Sequence, residues 1–75
     1  MIKVFVGNNI DKKQVIVDEN TTLRTVLEDN GVNYKNFLTQ LDGDTVSDAE
    51  LDQTFAEHGK SGTCFLLTTT KVDNA

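Results

Sequence analysis

Ile2, Val4 and Val6 alternate with Lys3, Phe5 and Gly7, the period-two spacing that sends one row of side chains into a core and the next outward. Val15 and Val17 repeat it around Ile16 after Asn8-Asn9-Ile10-Asp11, so the chain is expected to open with a β-hairpin. The period then changes. Leu23, Val26 and Leu27 stand at i, i+3 and i+4, one face of a short helix that Asn20 or Thr21 can cap and that Asn30-Gly31 can end. A single apolar stripe of that length needs a sheet to cover it.

Phe37, Leu38 and Leu41 predict a third strand, leading into the turn dipeptide Asp42-Gly43. Ser47-Asp48-Ala49-Glu50 has the spacing of a capping box: the serine oxygen accepts the amide three residues on, and the glutamate reaches back. A short helical turn anchored by Leu51 and Phe55 should follow. His58 to Gly62 reads as a loop. Thr63 to Thr70 returns to β-forming residues, with Cys64, Phe65, Leu66 and Leu67 apolar on both faces, which suits the centre of a sheet. The expected class is α+β, in the order strand, strand, helix, strand, short helical turn, strand, with the last strand beside the first.

The segment Asp42-Gly43-Asp44-Thr45-Val46-Ser47-Asp48-Ala49-Glu50-Leu51 resembles the ubiquitin family, whose corresponding pattern is D-G-x-T-L-S-D-x-x-I. The likeness extends more loosely along the chain, through the opening hairpin, the single helix and the last strand. It implies a ubiquitin-like β-grasp, a mixed four- to five-stranded sheet packed on one helix, over residues 1–70, followed by a flexible tail at 71–75. It also implies a recognition patch on the open face of the sheet, whose nearest counterparts here are Ile10 and Thr68. Phe5 sits where the family carries an outward aromatic; it is either an exposed contact or packed under the last strand. The family's conjugated members end in Gly-Gly, whereas Thr68-Thr69-Thr70-Lys71-Val72-Asp73-Asn74-Ala75 does not, and no glycine pair occurs elsewhere. Conjugation through this terminus is therefore not expected.

Composition narrows the partners. Twelve acidic against seven basic side chains give a net charge of −5, which repels nucleic acid and anionic lipid. Asp42, Asp44, Asp48, Glu50, Asp52 and Glu57 fall between Lys35 and Lys60 with no basic residue among them. That run either only solubilises the fold or offers Asp44, Asp48 and Asp52 to a protein partner with a basic surface. The one cysteine, Cys64, cannot close an intrachain disulfide, so a reducing, cytoplasmic setting is expected. The short apolar start, broken by Lys3, reads as a strand rather than a signal peptide, and no apolar run is long enough to span a membrane.

Catalytic chemistry finds little to stand on. Gly59-Lys60-Ser61 ends like a phosphate-binding loop, but Thr54 stands where its first glycine belongs. Asp42, Asp44 and Glu50 lack the further ligand and the glycine of a calcium loop, since Val46 and Ser47 occupy those places. Cys64 is expected to be a small buried hydrophobe and His58 a solvated loop residue. No catalytic, cofactor or metal set is expected. The reading is a monomeric, non-enzymatic binding module using Phe5, Ile10 and Thr68 or the acids; the alternative is an acidic inhibitor that mimics nucleic acid and blocks a basic cleft.

Overall fold

The computed structural model describes residues 1–8 and 10–70, so the tail expected at 71–75 lies outside the described residues. The chain runs β1 (Ile2–Asn8), β2 (Lys12–Val17), α1 (Leu23–Asp29), β3 (Phe37–Leu41), β4 (Asp44–Val46), a 3-10 turn (Ala49–Asp52) and β5 (Thr63–Thr70). The five strands form one sheet in the order β2-β1-β5-β3-β4. Only β1 and β5 run parallel, and the other neighbours are antiparallel. The mixed sheet and single helix agree with the expectation, and β5 takes the central place predicted for it.

The first hairpin depends on Gly7, whose φ is 150°; a Cβ there would stand 2.1 Å from the Asp11 carbonyl oxygen. Asn8 shapes the turn with its side chain, Oδ1 accepting the amides of Ile10 at 2.8 Å and Asp11 at 2.7 Å. The second hairpin differs. Leu41 pairs with Asp44 across Asp42-Gly43, and the positive φ of both turn residues, 52° and 89°, is that of a tight turn matching the strands' twist. The residues after it, Asp44-Thr45-Val46, form a further strand that the order of elements expected from the sequence did not include, within the four to five strands that the resemblance implies.

Helix α1 begins one or two residues later than expected, at a Thr22 cap rather than Asn20 or Thr21. The Thr22 oxygen accepts the Thr25 amide at 3.2 Å. It ends at Asn30-Gly31 as predicted: Gly31 N–H donates to the Glu28 carbonyl at 3.1 Å and Val32 N–H to Leu27 at 2.9 Å, satisfying carbonyls that the helix leaves open. Leu23, Val26 and Leu27 are buried against Ile2, Val4, Val6, Cys64 and Leu66 in one core that Leu41, Leu51 and Phe55 complete.

The capping box forms. Glu50 N–H donates to Ser47 Oγ at 3.3 Å and Ser47 N–H to Glu50 Oε1 at 2.8 Å. A second one, unread in the sequence, follows: Glu57 N–H donates to Thr54 Oγ1 at 3.0 Å and Thr54 N–H to Glu57 Oε1 at 2.8 Å. These reciprocal bonds hold a segment with little regular structure, and its backbone is stitched to the start of α1 by Leu23 N–H to Gln53 O, Phe55 N–H to Thr21 O and Ala56 N–H to Glu19 O.

Candidate functional site

Strand register decides which side chains share a face. In β1, Ile2, Val4 and Val6 point into the core, so Lys3 and Phe5 point the other way. Phe5 stands beside Gln14 of β2 and Phe65 of β5. The two rings are stacked, with centroids 4.9 Å apart and planes 17° apart. Offset stacking of this kind adds about 0.5–1.5 kcal/mol to simple burial. Phe65 nonetheless remains 42% exposed. Phe5 matches neither alternative as stated: it lies on the open face, outside the core, but it is half-buried by its stacking on Phe65.

Around the pair, Ile16, at 57% exposure, flanks Lys3 on β2. Leu67 lies between Gly7 and Gln40, and Leu38, on the same side of β3 as Gln40, is half-buried. The charged residues at open-face register positions are Lys3 and Lys12. Those positions hold no carboxylate among the described strand residues, although the chain as a whole carries −5. The open face is an aromatic-centred patch with a basic margin.

Two of the expected patch residues lie elsewhere. Thr68 is in phase with Cys64 and Leu66, so it faces the helix; it is 4% exposed and its hydroxyl donates to the Gly7 carbonyl at 3.4 Å. It cannot be an exposed contact. Ile10 is 89% exposed but sits at the hairpin tip, bordering a cleft with Gly31, Val32, Phe37 and Thr68 rather than with Phe5. Phe65, the ring that makes the patch, was missed because it sits inside a continuous apolar run that hides the phase of its strand.

The acidic segment is largely engaged with its own chain. Arg24 Nε donates to Asp52 at 2.7 Å, and its Nη2 lies 3.2 Å from Asp48. The same guanidinium donates to the Tyr34 hydroxyl at 3.2 Å, and that hydroxyl donates to Glu28 at 2.7 Å. Asp52 above all, then Tyr34 and Asp48, hold the Arg24 pKa above its ordinary value against the opposing effect of burial. Lys60 pairs with Asp42 at 2.9 Å, and that hydrogen bond raises its pKa. Glu50 serves the first capping box, where chiefly the Ser47 amide lowers its pKa. Asp48 and Asp52 are exposed as expected, at 87% and 68%, yet both lie against Arg24, whose single positive charge offsets one of the two. Asp44 is exposed on β4, and its field adds to that of Asp42 at Lys60.

Cys64 is buried, and desolvation pushes its thiol up to about 11, so it is protonated at neutral pH and unreactive as a nucleophile. His58 departs from expectation: it is half-buried, with Nε2 3.0 Å from the Glu50 carbonyl oxygen. Among the described residues no cluster of His, Cys, Asp and Glu could hold a metal ion, and no helix is long and apolar enough to cross a membrane.

No protein-family model matches the chain, and no curated protein matches it by sequence. Solved structures do. A ubiquitin-like domain of an Arabidopsis thaliana protein superposes with a TM-score of 0.71 at 18% identity, over 99% of this chain and 81% of that one. A ubiquitin-like protein from Trypanosoma brucei gives 0.71 at 22% identity, over 95% of both chains. With its strand order, single helix and this likeness, the chain has the ubiquitin-like β-grasp fold.

Proposed function

We propose that this chain is a non-enzymatic protein-binding module that docks a partner on the open face of its sheet. The observation that carries this reading is the stacked Phe5–Phe65 pair on the open face, Phe65 exposed and Phe5 half-buried, among strand positions whose charged side chains are Lys3 and Lys12 in a molecule of net charge −5. Exposed aromatics are the residues that most often anchor an interface. The basic margin suits a partner surface with an apolar centre rimmed by carboxylates. In this reading the module acts through non-covalent contacts of that face.

Acidic mimicry of nucleic acid is weakened as an alternative by the contacts of Asp48 and Asp52 with Arg24 and of Asp42 with Lys60, which fix three of the segment's carboxylates on the chain's own cations. The test is affinity capture from native lysate with three baits: the wild type, Phe65→Ala and Asp44→Asn. A partner held by the wild type and by Asp44→Asn, resistant to a high-salt wash and lost by Phe65→Ala, is the expected result. Equal retention by Phe65→Ala would remove the sheet face from consideration. A partner lost by Asp44→Asn and stripped by salt would favour mimicry.

A further inference from the structure

Asn30 is the one asparagine in the chain followed by glycine. That dipeptide carries its own chemistry, because the backbone nitrogen after an asparagine can attack the side-chain amide carbon, and a glycine there offers the least steric hindrance. In this fold both reacting groups are tied down. Gly31 N–H donates to the Glu28 carbonyl at 3.1 Å, and Asn30 Nδ2 donates to the Val26 carbonyl at 2.8 Å. Asn30 has φ −102° and ψ 9°. Swinging the Gly31 nitrogen round to Asn30 Cγ requires a rotation about ψ, which breaks the Gly31–Glu28 bond and the neighbouring Val32–Leu27 bond of 2.9 Å. Both residues also line the cleft against the hairpin tip, beside Asn8, Ile10 and Asp11, so solvent reaches them once the turn opens.

We propose that Asn30 is a self-modification site, gated by opening of the last turn of α1, whose conversion to a carboxylate then favours the opened turn. In the step, Gly31 N bonds to Asn30 Cγ and the Cγ–Nδ2 bond breaks. The amide proton passes through water to the departing nitrogen, which leaves as ammonia. One water then opens the cyclic imide to aspartate or isoaspartate, with no oxidation or reduction. The product cannot restore what was lost. An acceptor replaces the donor that faced the Val26 carbonyl, and a negative charge joins Glu28 and Asp29 at the end of the helix where the backbone dipole is already negative. Isoaspartate further lengthens the backbone inside the turn. The conversion is thus a one-way record of how often this helix end has opened.

The experiment follows the full chain in warm neutral buffer, native and in guanidinium chloride, with the modified residue located by peptide mapping and mass spectrometry. Asn30 should convert at least about tenfold more slowly in the native chain, the ratio reporting the local opening equilibrium. Thr22→Ala loosens α1 from its far end without touching either reacting group, and it should speed native conversion roughly fivefold. Asn30→Asp should show faster hydrogen exchange at the backbone amides of position 30, Gly31 and Val32. Equal rates in native and denatured wild type would overturn the gate, as would a Thr22→Ala rate no faster than wild type. Unchanged exchange in Asn30→Asp would overturn the ratchet. Should Asn30→Asp fail to fold, the native destabilisation is shown directly, and the two rate comparisons still decide the gate.

Discussion

Phe55 and Phe65 are the same side chain with opposite fates. Phe55 is 0% exposed, enclosed by the core beneath the helix, whereas Phe65 is 42% exposed on the other side of the sheet and leans on one other ring. The helix-facing side is filled by Val4, Val6, Leu23, Leu27 and Leu66, all near zero exposure, and even the threonines at its register positions, Thr39 and Thr68, are buried. The open side gains part of that burial from each ring and leaves the rest to water. The contrast teaches that this sheet holds the molecule together with one face and has apolar surface to spare on the other. Spare aromatic surface is what an interface uses.

The contrast breaks first at Phe55. Phe55→Ala should cost about 3–5 kcal/mol, visible as a large fall in urea midpoint, and a loss below about 1 kcal/mol would mean that the helix-facing side is not the stabilising one. Next comes Gly7→Ala, which lies on the open side but acts through the backbone: its Cβ would strike the Asp11 carbonyl, for an expected loss of about 2 kcal/mol or more. Phe65→Ala should cost about 1 kcal/mol, mostly the stacking and the partial burial, while abolishing capture of the partner. Thr68→Val sharpens the comparison from the other direction. Because Thr68 is buried and its bond to Gly7 is long, stability should stay within about 1 kcal/mol of wild type and partner capture should be unchanged.

The smallest effect belongs to neither face. The Glu50 pKa is lowered by the capping box, so the folded state gains from ionised Glu50 above the ordinary value of 4.5. That gain fades as pH falls below 4.5 and through the lowered folded value. Melting temperatures of wild type and Glu50→Gln should therefore differ most near neutral pH and converge in acid. A gap that widens in acid would assign the carboxylate a different role.

What could be read from the sequence follows from where each signal resides. The helix was legible because Leu23, Val26 and Leu27 mark one face by spacing alone, but its start was misplaced by a residue or two because Asn20, Thr21 and Thr22 offer similar capping oxygens and only the backbone angles choose among them. The capping box at Ser47–Glu50 was legible because it is local, and its twin at Thr54–Glu57 carries the same spacing. On β5 the run Cys64-Phe65-Leu66-Leu67 erases the alternation, so a polar Thr68 reads as outward and an apolar Phe65 goes unnoticed. Counting in twos from a buried Cys64 would have placed both. The partners of the acids were out of reach, since Arg24 meets Asp48 and Asp52 across 24 and 28 residues of sequence.

The place of β5 has a consequence for how the sheet can come apart. It fills the slot between β1 and β3. Without it, the first hairpin stands alone, a two-stranded ribbon of marginal stability, and β3 with β4 forms a second fragment with no shared partner. Withdrawing this one strand therefore leaves two halves of a sheet with their inner edges unpaired, so the halves are expected to form and to be lost together, in one step.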